Sequence, residues 1–237
     1  MGRKFLNLHS KKAVSGGVLM MTNRDRLKFN NKGGGYIDPV PDYLFKYKLD
    51  GNDANLTPIN TPNIVAGIAL PDKLASDFNG VDQYYDASPD SATVAIGSGA
   101  FSWAFWVRFS SSSANDPFGN GNGETTDVFR FRCTSGGLIR LRTNRSNRSA
   151  SGTLNDGQWH HITYTSTGSG GDMEIYVDSA SNSSPSSPIY DILDSSAFTV
   201  GRAPTNNNFW NGNLDDIRLY DRVLSPSEVT AIYNNKA

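Results

Sequence analysis

The chain of 237 residues predicts an all-β domain, a sandwich or a barrel, on three observations. Short runs of aromatic and β-branched residues succeed one another from Tyr43 to Tyr220. Gly, Asn, Asp, Ser and Pro separate those runs at strand spacing. Charged residues, 19% of the total, are too few for long helices, while 37% hydrophobic and 11% aromatic residues exclude a disordered chain. No apolar run nears the ~18 residues of a membrane span. A lone cysteine, Cys133, excludes intrachain disulfides and a cysteine-built zinc site.

The chain opens on a basic arm. Residues 1–40 hold Arg3, Lys4, Lys11, Lys12, Arg24, Arg26, Lys28 and Lys32 against Asp25 and Asp38, a charge of +6. The other 197 residues hold 14 Lys/Arg against 21 Asp/Glu, a charge of −7. A basic arm on an acidic body seeks acidic surfaces: nucleic acid, an anionic membrane or an acidic protein shell. The competing reading is a solvated tail, or an arm folded onto its own body. Phe5, Leu6 and Leu8 are interrupted at His9-Ser10-Lys11-Lys12, and the run Val18-Leu19-Met20-Met21 is short, so no export signal is expected. Leu6 stands where a myristoylation pattern has Ser or Thr. A chain starting natively at Met1 then folds in the cytoplasm. Gly33-Gly34-Gly35 followed by Pro39 and Pro41 predicts a boundary, with an arm over 1–41 and a body over 42–237.

In the body, strands are expected over 43–49, 83–85, 101–109, 127–133, 137–143, 160–167, 173–178, 198–201 and 213–220. Polar stretches at 110–113, 120–123, 179–187 and 206–208 read as loops. Around Cys133 the alternation fixes a hairpin register. Arg132 opposite Arg140 puts Arg130 opposite Arg142, Phe131 opposite Leu141 and Cys133 opposite Ile139. One face is then apolar and the other carries four arginines; a one-residue slip would mix them. Like charges directly opposite cost a few tenths to about 1 kcal/mol per pair, so something must offset them. Two readings stand: an anion- or partner-binding strip extended by Arg145 and Arg148, or a strip neutralised by acids of neighbouring strands. Last in the chain, Ser225-Pro226-Ser227-Glu228 is a capping box with Pro at the first helical position. Val229, Ile232 and Tyr233 form the stripe of a short helix packed on the β-body.

Several segments resemble one family. Asp156-Gly157-Gln158-Trp159-His160-His161-Ile162, followed by Met173-Glu174-Ile175-Tyr176-Val177-Asp178, is similar to a hairpin of laminin-G-like domains. Phe198-Thr199-Val200-Gly201-Arg202 and Phe209-Trp210-Asn211-Gly212-Asn213-Leu214-Asp215-Asp216-Ile217-Arg218-Leu219-Tyr220 resemble its closing signature. The order of Tyr47-Lys48-Leu49-Asp50-Gly51-Asn52, Phe78-Asn79-Gly80 and Phe101-Ser102-Trp103-Ala104-Phe105-Trp106-Val107 matches as well. Ser179 departs from the pattern, which has Gly there, so that turn is expected to differ. The resemblance is to the concanavalin A-like lectin/glucanase superfamily and implies a two-sheet antiparallel jelly-roll sandwich over roughly 42–237. In that fold the first and last strands are neighbours, so it implies a structural calcium held by Asp50, Asp215 and Asp216. The competing reading makes these turn carboxylates. Trp103, Phe105, Trp106, Trp159, Ile217 and Leu219 are expected to pack on the sheets.

Catalytic readings find little support. Glycosidases use two carboxylates about 5–9.5 Å apart, and the chain has three glutamates: Glu124 in a Gly/Asn loop, Glu174, and Glu228 in the capping box. Glu174 and Asp178, read as one strand, would stand roughly 13 Å apart. His160 and His161 face opposite ways on a strand and do not share a metal easily. Cys133 falls on the apolar register as a small core residue. No Gly-rich stretch leads into Lys-Ser/Thr, so no P-loop is expected.

A non-enzymatic binding protein is therefore expected, in one of two forms. The first is a virion decoration or tail- or capsid-associated protein of a phage, anchored to a capsid or tail protein by its arm. The second is a stand-alone carbohydrate-binding module. Tyr84, Tyr85, Phe209 and Trp210 are candidates for stacking on sugar rings, with Asn206, Asn207 and Asn208 as hydrogen-bonding groups. The competing reading packs Phe209 and Trp210 under the closing strand. Association of the chain with itself through sheet edges or the arm fits either form. A nucleic-acid binder rests on the arm and the arginine strip alone.

Overall fold

The computed structural model describes residue 36 and residues 38–113, 115–121, 129–143, 147–182, 197–202 and 208–236. The arm residues Arg3, Lys4, Lys11, Lys12, Arg24 and Arg26 lie outside the described residues, as do Glu124, Arg145, Asn206 and Asn207. The strands form two sheets, and every pairing is antiparallel. Across the eight-stranded sheet run β13 (Ala180–Ser181), β12 (Met173–Val177), β11 (Trp159–Ser166), β6 (Phe101–Arg108), β15 (Asn211–Tyr220), β4 (Leu74–Asn79) and β3 (Asn63–Ala66). Its remaining strand, β1 (Phe45–Tyr47), pairs with β15. Across the seven-stranded sheet run β10 (Asn147–Ser149), β9 (Ile139–Thr143), β8 (Phe129–Cys133), β7 (Asn115–Asn120), β14 (Phe198–Val200), β5 (Tyr84–Asp86) and β2 (Thr57–Ile59). Two α-helices, α1 (Ser91–Val94) and α2 (Pro226–Asn234), and a 3-10 turn over Ser88–Asp90 complete the described elements.

The two sheets close a sandwich on an aromatic core. Trp103 and Phe105 of β6 meet Phe118, Phe129, Phe131 and Phe198 of the facing sheet, all fully buried. The Trp103–Phe129 and Phe105–Phe131 centroids lie 5.0 and 4.9 Å apart in tilted and edge-on geometry. Such pairs add about 0.5–1.5 kcal/mol each beyond the area they bury. Cys133 lies in this core, where burial pushes its thiol up to about 12. Ile217 and Leu219 point inward too, whereas Trp159 is half-buried with the Arg108 guanidinium 5.1 Å above its ring. The hairpin register is the one the alternation dictates: Arg130↔Arg142, Phe131↔Leu141, Arg132↔Arg140, Cys133↔Ile139.

The outer face of the eight-stranded sheet is not open. A second cluster of Val40, Ala104, Tyr176, Tyr220, Leu224, Val229 and Ile232 fills the space beneath α2. Tyr233 of α2 stacks on Trp106 at 5.6 Å. The helix is set as the sequence dictates: Ser225 accepts from the Glu228 amide, and Glu228 reaches back to the Ser225 amide. Arg222 bridges Glu228 and Asp42 at 2.7 and 2.9 Å, tying the helix start to the chain entry. Nearby, Arg218 is 0% exposed and pairs with Asp216 and Asp38, each at 2.7 Å. Lys46 completes the network at 3.0 Å from both acids. Asp38 and Val40, ahead of residue 42, pack against this unit.

Candidate ligand-binding face

The outer face of the seven-stranded sheet is open in part: Arg132, Arg140, Arg142, Tyr84 and Asp86 are half-buried there, whereas Asp116, Gly119, Arg130 and Thr199 are buried. Strand alternation decides what stands there. In β8 and β9, Phe129, Phe131, Cys133, Ile139 and Leu141 enter the core, so Arg130, Arg132, Arg140 and Arg142 face out. Register then runs one row across the sheet: Arg142, Arg130, Gly119, Thr199, Asp86. The smallest side chains are in the middle of the row. Gly119 stays bare because a Cβ there would stand 2.8 Å from Arg130 Cβ and 2.9 Å from the Phe129 carbonyl.

One end of this face is basic. Asp116, fully buried in β7, lies 3.8 Å from both Arg130 Nη1 and Arg132 Nε. It reaches both because β7 is irregular between Asn115 and Phe118, where pairing with β8 shifts. Arg140 Nε donates to Ser149 Oγ of β10 at 2.9 Å. The other end is aromatic. The Arg202 guanidinium carbon sits 3.9 Å from the Tyr84 ring centroid and 5.6 Å from that of Phe209. Those two rings are 6.2 Å apart and tilted, and both side chains are half-buried. Gly201 makes the approach: φ is +96°, and a Cβ there would stand 2.5 Å from the Phe78 ring.

The candidates of the sequence therefore divide. Arg130, Arg132, Arg140, Arg142, Tyr84 and Phe209 share one sheet face. Trp210 does not: it is 0% exposed and packs on Phe109 at 5.1 Å, because Phe209 and Trp210 point to opposite sides. Tyr85 is likewise a core residue, its hydroxyl 2.8 Å from Ser76 Oγ. Asn208 is held by its carbonyl, which accepts from the Asp116 amide at 3.2 Å. Arg202 was not among the sequence candidates; the signal was Val200-Gly201-Arg202 ending a strand four residues before the polar stretch at 206–208, with Tyr84 remote in sequence.

Residues 79–230 match the family Laminin_G_3 of the concanavalin A-like lectin/glucanases superfamily. The chain belongs to this superfamily. Solved structures share the fold at low identity. Domain 4 of AbnA, a GH43 extracellular arabinanase from Geobacillus stearothermophilus, solved in complex with arabinotriose, has 18% identity and a TM-score of 0.59. That match covers 79% of this chain and 96% of the domain. The CBM40 of Ruminococcus gnavus IT-sialidase, bound to alpha2,3 sialyllactose, has 14% identity and a TM-score of 0.55, covering 72% and 98%. The binding domain of Paraclostridial Mosquitocidal Protein 1 has 18% identity and a TM-score of 0.60, covering 78% of this chain and 48% of that one. No curated protein matches the chain.

The calcium implied for this concanavalin A-like domain does not fit its residues. Asp50 Oδ1 accepts from the Asn52 amide at 2.9 Å, the turn role. Asp215 Oδ2 accepts from the Ile68 and Ala69 amides, both at 2.9 Å, in a site where burial pushes the carboxyl up to about 7. Asp216 is taken by Arg218 and Lys46; burial opposes its ionisation, yet those two cations hold it below the ordinary carboxylate range. Among the described residues no three His, Cys, Asp or Glu side chains form a group able to hold a metal ion. Glu174 and Asp178 are engaged too. Glu174 accepts from Ser181 Oγ at 2.7 Å, and Asp178 sits in the turn after β12 rather than on the strand, with His160 Nδ1 at 2.8 Å.

Proposed function

We propose that the chain is a non-catalytic carbohydrate-recognition protein whose ligand lies across the outer face of the seven-stranded sheet. One observation carries this: the face presents half-buried guanidinium donors, Arg132, Arg140 and Arg142, at one end and the half-buried Tyr84–Arg202–Phe209 cluster at the other. Aromatic rings stack on the apolar faces of sugars while convergent polar groups fix orientation. Structural neighbours described with arabinotriose and sialyllactose support the reading. Binding of the full chain to an array of plant and microbial polysaccharides tests it. A Tyr84→Ala/Phe209→Ala variant should lose at least about tenfold in affinity, about 1.4 kcal/mol. Retention of every bound polysaccharide by that variant rejects the face.

The proposal extends to an anchored protein, displayed on the capsid or tail of a phage virion, with residues 1–35 as the anchor. Its support is the charge division. With Asp38 counted in the body, residues 1–37 carry +7 and the rest −8. Cosedimentation with particles should require residues 1–35, whereas polysaccharide binding should not. Attachment without those residues favours a stand-alone carbohydrate-binding module.

A further inference from the structure

Resting on that carbohydrate reading, we infer that the ligand is acidic: Arg132 and Arg140 together grip a carboxylate or sulfate borne by a sugar. The two stand directly opposite each other on adjacent strands, which brings their Cβ atoms within about 4.5–5.5 Å. Uncompensated, that placement is unfavourable. Two other arginines are held by acids: Arg218 reaches Asp216 and Asp38 at 2.7 Å, and Arg222 reaches Glu228 and Asp42 at 2.7 and 2.9 Å.

Arg132 and Arg140 are treated differently. The acid beside Arg132 is Asp116, whose Oδ1 is 3.8 Å from Nε, too far for a hydrogen bond. Arg140 has a neutral partner, Ser149 Oγ. Each guanidinium carries five N–H donors in a planar fork, so among the described residues Arg140 Nε alone of the pair's donors makes a hydrogen bond. The Arg132 side chain is 26% exposed, open to solvent rather than sealed in the sheet. Two forks side by side match the paired oxygens of a carboxylate or sulfate, and charge-assisted bidentate bonds are the strong ones. From β9 to β5 is four strand spacings, roughly 19 Å. That leaves the half-buried Tyr84–Arg202–Phe209 end to hold other rings of the same oligosaccharide.

The test titrates the full chain with trigalacturonate, a sulfated galactan oligosaccharide and a neutral galactan oligosaccharide of equal length. The acidic sugars should bind at least about tenfold more tightly than the neutral one, and the carboxylate and sulfate arms show which anion is preferred. Arg140→Gln, which leaves the Arg132–Asp116 pair in place, should weaken that preference, and Arg132→Gln/Arg140→Gln should abolish it. Arg132→Lys, which keeps charge without the fork, should also bind the preferred anion less tightly. Equal binding of acidic and neutral sugars overturns the inference and leaves the carbohydrate reading intact. An acid preference that survives in the double variant belongs to the basic arm and overturns it as well. Failure of all three sugars and of the polysaccharide array removes the carbohydrate reading itself.

Discussion

Asp178 and Ser179 occupy the two-residue turn between β12 and β13 with φ of 52° and 68°, the geometry of a type I′ hairpin. Asp178 is held there by its partners, accepting from the His161 amide at 2.9 Å. Ser179 has no such compensation, and a left-handed residue with a Cβ costs roughly 1–2 kcal/mol, against about 0.5–1 kcal/mol of extra chain entropy for glycine. The departure from the family pattern therefore leaves the turn in place at a cost. Ser179→Gly should raise the melting temperature by about 2–4 °C, as roughly 1 kcal/mol does in a chain of this size. A lowered midpoint in thermal unfolding would show that serine makes a contact worth more than the strain. Single residues also show where sequence reading ends. Nothing in the dipeptide Phe209-Trp210 says which ring faces the core; the strand pairing of β15 with β4 and β6 decides it.

At the scale of elements, what could be read from the sequence tracks how much of each element's cause is local. The β8–β9 hairpin was legible because five alternating residues on each side admit one register without mixing faces. Helix α2 was legible from its cap. Ser225→Ala removes the acceptor for the Glu228 amide and should cost about 1 kcal/mol in urea unfolding. By contrast β7, Asn-Asp-Pro-Phe-Gly-Asn, has turn-forming residues at five of six positions and is a strand because β8 and β14 flank it. The edge strands β2 and β3, three and four residues long, are likewise products of their neighbours.

Adjacent histidines on β11 extend this to pH. His161 is buried under α2 between Trp106 and Tyr233, faced by Asp216, Arg218, Asp178 and Lys236, with no hydrogen-bond partner on either ring nitrogen among the described residues. Burial pushes it down to about 3. The unfolded chain takes up a proton near pH 6.5 that the folded one refuses, so stability is full above that pH and falls below it, by up to about 1.4 kcal/mol per pH unit. His160 has the opposite sign: its bond to Asp178, against burial and with help from Asp156, raises it. That contribution is full below about pH 6.5 and is lost as pH rises through the raised value. Urea unfolding between pH 4 and 7 should show the acid slope reduced in His161→Phe; an unchanged slope assigns the acid loss to carboxylates instead.

At the scale of the whole molecule, composition and periodicity located the sandwich, whereas Pro39 and Pro41 signal a stiff connector whether or not it is packed. The segment is a strap. Asp38 neutralises Arg218 and Lys46 beneath the surface, Val40 is 3% exposed beside Tyr220, and Asp42 completes the Arg222–Glu228 pair. Strap and α2 together pack on the outer face of the eight-stranded sheet. A chain begun at Tyr36 keeps all of these contacts and should melt with the full-length protein. A chain begun at Tyr43 leaves Arg218 and Lys46 with Asp216 as their shared acid. Removing one partner from a buried ion network costs about 3–5 kcal/mol, and loss of the Val40 side chain adds to it. The midpoint should fall by about 10 °C or more, with the outer face of β6, β11 and β15 gaining solvent access, measurable as faster amide exchange in α2. Equal melting of the two truncated chains would return the boundary to residue 42 and make the strap part of the arm, free to leave the body when the arm meets its partner.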